Sequence, residues 1–138
     1  MCLLDEVVEW STDDICCRSN SHRRADNVLR AHGRLGIACG VEYAAQAMAV
    51  HGALRAANSS LQYRAGLLAS VRGLTMSVDR LDDIDGDLFA NATLVHGDGT
   101  MVLYEFSLAA SNRVLMSGRA TIAFGAVSGG PPAMRALS

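Results

Sequence analysis

The sequence predicts an α+β domain, one long helix with an antiparallel sheet around it. Three observations carry this. The longest apolar run, Gly36 to Ala57, has the length and alanine content of a helix. Segments rich in Val, Leu, Ile and Thr lie on both sides of it. Two compact turn signals, Gly97-Asp98-Gly99 and Ser111-Asn112, separate the last of these segments in the manner of hairpins.

Taken in order, Met1–Trp10 reads as a first strand, Ser11–Asp14 as a turn and Ile15–His22 as a second strand paired with the first. Arg23–Leu35 has no period and reads as a long loop, a length usually kept for function or disorder. The helix runs from about Gly40 to Ala57, and Asn58–Ala65 is its exit loop. Gly66–Val78, Asp87–Val95, Met101–Ala109 and Val114–Phe124 follow as antiparallel strands, the Met101 strand beside the Asp87 strand. One domain is expected over residues 1–124, with a mobile tail over 125–138 that contains Gly129-Gly130-Pro131-Pro132.

Composition narrows the function. The chain has 138 residues, half of them apolar, and a net charge of -2, which suits one globular core and no nucleic-acid partner. All twelve basic residues are arginines. The apolar run is almost long enough to cross a bilayer, but Glu42, Gln46, His51 and Arg55 interrupt it, so no membrane span is expected. Cys2, Cys16, Cys17 and Cys39 lack metal-ligand spacing, and no signal-peptide pattern opens the chain. Reduced thiols in the cytoplasm, with no metal, are the expectation. The acidic stretch Asp79–Asp87 has neither the spacing nor the closing Glu of a calcium loop and reads as a turn between strands.

Glu42 stands out. An ionised carboxylate among Ala, Val and Met is costly unless paired, so it is either a first-turn charge favoured by the helix dipole or a residue kept for chemistry. Gln46 follows at about 40° around the helix and shares its face, whereas His51 is about 180° away and reads as structural. Arg18, Arg23, Arg24, Arg30 and Arg34 cluster in sequence with Asp26 as the only acid between them. They form either a docking patch for an acidic partner or an ordinary polar loop.

The order of elements resembles the hot-dog fold, in which an antiparallel sheet wraps a central helix. Leu3–Trp10 (LLDEVVEW), Ile15–Ser21 (ICCRSNS) and Ala25–Leu29 (ADNVL) resemble the opening segments of the 3-hydroxyacyl-acyl-carrier-protein dehydratases. Glu42-Tyr43-Ala44-Ala45-Gln46 resembles the Glu-x-x-Ala-Gln of their central helix, and Leu67–Asp87 the strand and turn after it. Within that family the pattern His22-Arg23, Asp26-Asn27, Gly33-Arg34-Leu35 and Glu42–Ala47 resembles the predicted dehydratases of aryl-polyene pigment clusters. His32-Gly33-Arg34-Leu35-Gly36 stands where the better-known dehydratases carry His-Phe-Pro-Gly.

The resemblance implies a homodimer that dehydrates a 3-hydroxyacyl thioester to the trans-2-enoyl thioester. The substrate is carried on phosphopantetheine, by acyl carrier protein or coenzyme A, and no dissociable cofactor is needed. Glu42 is then the acid, and His22 or His32, from the opposite subunit, its partner. Gln46, Asn27, Gly36, Gly40 and Val41 are the expected substrate contacts, with backbone N–H groups at the helix start on the thioester carbonyl. Two other readings share the fold: a thioesterase, and a non-catalytic partner of an active subunit.

Overall fold

The computed structural model describes residues 2–59 and 65–124. Among these residues six strands form one antiparallel sheet: β1 (Glu6–Trp10), β2 (Asp14–Ser19), β3 (Gly66–Met76), β4 (Leu88–Gly97), β5 (Met101–Ala110) and β6 (Arg113–Phe124). One helix, α1 (Gly40–Ala57), lies between β2 and β3 in the chain. The strand order is β1-β2-β4-β5-β6-β3, so α1 carries the chain from one side of the sheet to the opposite edge. This is the expected hot-dog arrangement. The 60–64 part of the expected exit loop and the tail from 125 lie outside the described residues.

Turn chemistry sets the registers. Ser111 and Asn112 both take positive φ, 51° and 62°, closing a two-residue hairpin on the pair Ala110–Arg113. The Asp98 carboxylate accepts from the N–H groups of Thr100 and Met101, which turns β4 into β5. Alternation does the rest. Ile15, Cys17 and Ser19 on β2 are buried while Cys16 and Arg18 face outward, so the adjacent cysteines lie on opposite faces.

The first strand is shorter than its apolar content suggests, because side chains hold the segment before Glu6. Leu3 N–H donates to Gln46 Oε1 at 2.8 Å, and the Leu3 carbonyl accepts from the hydroxyls of Ser19 and Ser21. The second strand also ends early, at Ser19, where a 3-10 turn over Ser21–Arg23 takes over.

The core lies between α1 and the sheet. Tyr43, Ala44, Ala47, Met48 and His51 face β2, β4 and β5. Close approach is enforced at Gly40, where an added Cβ would stand 2.9 Å from Leu108 Cδ2 and 3.2 Å from Met116 Sδ. Away from the sheet the helix remains apolar, with Ala49 and Ala53 exposed beside Glu42. A helix that is apolar all round is one built to be covered on both sides.

Candidate active site

The start of α1 carries most of the expected site. A 3-10 turn over Ile37–Cys39 leads into it, and no side chain caps its first N–H groups. Glu42 sits in the first turn, exposed, where the dipole favours a carboxylate. Among the described residues it makes no side-chain hydrogen bond or ion pair. Val41 is half-buried against the core, and Gly40 is the close contact with the sheet. Gly36 has room for a Cβ, so packing does not require a glycine there. Gln46 lies on the Glu42 face, but its carboxamide oxygen holds Leu3.

A second cluster adjoins the first through Tyr43, which is fully buried. Its hydroxyl lies 2.8 Å from Ser21 Oγ and accepts from Asn27 Nδ2 at 3.2 Å. Asn27 also donates to the Ser21 carbonyl, and its own carbonyl accepts from Leu29 N–H. Asn27 therefore ties the loop to the helix. His22, next in the chain to Ser21, is fully buried, and its Nε2–H donates to the Ile84 carbonyl at 2.9 Å. The carbonyl can only accept, so Nδ1 is the unprotonated nitrogen, and it has no hydrogen-bond partner among the described residues. His32 stands apart, exposed at φ 55° in the tight turn that pairs Ala31 with Arg34. Within one chain neither histidine is hydrogen-bonded to Glu42.

The loop between these clusters is ordered from a distance. Asp82, 7% exposed, accepts from Leu35 N–H at 2.8 Å and from the Arg80 guanidinium, with Arg30 Nη1 3.9 Å away. Leu81 N–H donates to the Leu35 carbonyl and Ile37 N–H to the Asp79 carbonyl. The acidic stretch is thus a turn between strands, as expected, and also the brace of the helix start. Sequence reasoning missed Asp82 and Tyr43. The Arg80-x-Asp82 spacing and the polar run Ser19-Asn20-Ser21 were the available signals.

Ion pairs also reduce the arginine cluster. Arg18 pairs with Glu6 and Asp87, Arg24 with Asp26, and Arg30 lies beside Asp82. Only Arg23 and Arg34 of the five remain exposed without a side-chain partner among the described residues.

His51 is structural. Its Nε2–H donates to the Ser11 carbonyl and its Nδ1 accepts from the Tyr104 hydroxyl, each at 2.8 Å. Burial pushes the pKa of both His22 and His51 down, so both are neutral in the native state. The unfolded chain takes up these protons near pH 6.5 and the native chain only at lower pH. Below about pH 6.5 the unfolded state binds more protons, so acid destabilises the fold. For two such sites the loss is up to about 2.7 kcal/mol per pH unit. Urea unfolding at about pH 7.5 and pH 5.5 is expected to show a lower midpoint at the acid value. His51→Gln should flatten that dependence, and equal midpoints at both pH values in the wild type would contradict the assignment.

Two cavities bear on function. An apolar one of about 120 Å³ starts one turn along from Glu42, between Ala45, Ala49 and Gly52 of α1 and Leu68, Tyr104 and Ile122 of the sheet. A larger one, about 650 Å³, lies on the outer face of β3, β5 and β6. No helix among the described residues is long and apolar enough to cross a membrane.

The model of the ApeP-like family, described as ApeP dehydratase, matches residues 1–125. No curated protein sequence is similar enough to count as a relative. Among solved structures, the dehydratase heterocomplex ApeI:P from Xenorhabdus doucetiae is similar with a TM-score of 0.79 at 20% identity, covering 92% of this chain and 85% of that one. AziG from S. sahachiroi is similar at 0.64 and 16% identity, covering 86% and 89%. A thioesterase from Haemophilus influenzae follows at 0.63 and 14% identity, covering 89% and 79%. At these identities the structures establish the fold.

Proposed function

This chain belongs to the ApeP-like dehydratase family, and from that premise we propose that it dehydrates a 3-hydroxyacyl thioester on the phosphopantetheine arm of an acyl carrier protein. The observation that carries the reading is Glu42, an exposed carboxylate without a partner among the described residues, on a helix face it shares with Gln46, Ala49 and Ala53. A base takes the Cα proton, the C–O bond at Cβ breaks, and the Glu42 carboxyl group delivers a proton to the departing hydroxyl. Water leaves and the trans-2-enoyl thioester stays on the carrier. The uncapped N–H groups at the start of α1 suit the thioester carbonyl, on which negative charge develops. The apolar cavity beside Ala45 and Ala49 suits the acyl chain.

His22 is the better supported base. The Ile84 carbonyl fixes its tautomer, and it is neutral with a free Nδ1. Nothing orients His32 in this way. Within one chain neither His22 nor His32 is hydrogen-bonded to Glu42, so in this reading a partner subunit completes the reaction centre. Among the described residues β3 has no strand beyond it, with Leu67 78% exposed on it, and Ala49 and Ala53 are exposed on α1. The Xenorhabdus doucetiae relative is a heterocomplex, which supports a second hot-dog subunit as that cover, whether a copy of this chain or a different one.

Mass spectrometry of a 3-hydroxyacyl carrier protein incubated with the chain tests the reading. The expected product is lighter by one water and still attached to the carrier. A free carrier thiol would instead establish hydrolysis. Turnover only with a copurified hot-dog subunit, and undiminished when this chain carries Glu42→Gln, would establish a supporting role.

A further inference from the structure

The outer face of the sheet carries charges that the chemistry at α1 does not use. Register places Arg72 on β3 directly opposite Arg119 on β6, and Arg119 opposite Glu105 on β5. Arg119 Nη2 lies 3.3 Å from Glu105 Oε2. Arg72 is exposed and has no side-chain partner among the described residues. Like charges directly across a ladder are destabilising, and here the one carboxylate of the row pairs with Arg119 and leaves Arg72 uncompensated. All three residues line the cavity of about 650 Å³, where Gly73 and Gly118 contribute no side chains. A bulge between Arg72 and Thr75, with Gly73 at φ 61°, shapes that place.

The position matters because β3 is an edge strand among the described residues. Reading outward across the sheet, the row is Glu105, Arg119, Arg72, and then whatever pairs with β3. A second copy aligned antiparallel over the full strand Gly66–Met76 would be centred on Val71. Its Arg72 would then lie about 8 Å from the first, from strand spacing and rise. That is within a Debye length at physiological salt. Self-pairing would gather four guanidiniums and two carboxylates on one open patch.

We propose that this edge selects its partner by charge: Arg72 disfavours a second copy of this chain and takes a different hot-dog chain whose edge strand presents a carboxylate beside it. The inference rests on the pairing at β3 put forward above and names the partner's chemistry. Repulsive contacts against the wrong partner are a common source of specificity.

The test uses the full chain and a charge-reversed copy of it. Sedimentation equilibrium compares wild type alone with an equimolar mixture of wild type and Arg72→Glu, at low and raised salt. The mixture is expected to associate about tenfold more tightly than wild type alone at low salt, a gap that narrows as salt is added. Wild-type self-association is expected to strengthen with salt. Equal affinities at low salt, or self-association that weakens with salt, would overturn charge selection. Hydrogen exchange on the same samples separates this from failure of the edge reading. Association that protects the amides of Gly66–Met76 keeps the edge as the interface, whereas association without that protection removes the interface and the proposal with it.

Discussion

Glu42→Gln is expected to lower dehydration turnover by about 10²–10⁴-fold, the usual contribution of a positioned acid, with little change in KM. The substitution is isosteric and keeps an acceptor, so what it removes is the proton Glu42 would give to the departing hydroxyl. Its cleanness comes from the geometry. Glu42 is exposed and makes no hydrogen bond or ion pair among the described residues. The only folding term at stake is its favourable place at the helix start, about 0.3–1 kcal/mol. A large loss of turnover beside an almost unchanged unfolding midpoint therefore reports chemistry. Single-turnover assays of wild type and Glu42→Gln on a 3-hydroxyacyl carrier protein measure it, and full activity in the variant sinks the mechanism.

The histidine variants need more care. His22→Ala would leave the Ile84 carbonyl unpaired and a hole in a fully buried position, so lost activity there confounds folding with catalysis. His22→Gln keeps a donor, and its unfolding midpoint can be checked before its turnover. His32→Ala removes an exposed ring with no partner among the described residues. Loss of turnover in His32→Ala alone would move the base to that position.

The parts of this fold that were legible in the sequence are those decided locally. The hairpin at Ser111-Asn112 and the Asp98 turn follow from residues that tolerate positive φ or bond their own backbone. The helix follows from an alanine-rich run, and four of the six strands lie within two residues of the expected bounds at both ends. The illegible parts are held by side chains distant in the chain. Leu3 and Leu4 have strand composition, yet Gln46, 43 residues away, holds the Leu3 backbone. Arg23–Leu35 has loop composition and is ordered by Asn27, Tyr43, Ile84 and Asp82. The arginine cluster looked basic because Glu6, Asp82 and Asp87, which neutralise Arg18 and Arg30, lie outside the window in which it was read. At the site, the carboxylate was legible because a charge in an apolar run is conspicuous. Its partner was not, because the position of a loop histidine depends on what the loop is tied to.

Asp82→Ala is expected to cost about 3 kcal/mol of stability, the low end for removing one partner of a buried ion pair. The low end applies because Arg80 is 37% exposed and keeps some hydration. Two groups lose their acceptor together, the buried Leu35 N–H and the Arg80 guanidinium, and Arg30 loses an ion-pair neighbour at 3.9 Å. Bonding to Arg80 holds the Asp82 carboxyl well below the usual carboxylate range despite its burial. Its stabilisation is therefore complete above about pH 4 and is lost only as the pH falls below that value. Against a total stability of about 5–15 kcal/mol this is a large share. Asp83→Ala is the control, since Asp83 is 61% exposed and lies 3.9 Å from Arg80. It should change stability by no more than about 0.5 kcal/mol. Asp82→Asn should fall between the two, because it keeps an acceptor for Leu35 and loses the charge. Turnover should follow the same order, since Leu35 and Ile37, which the brace holds, set the start of α1. Urea unfolding of the three variants decides it, and equal losses in Asp82→Ala and Asp83→Ala would place the brace on another residue.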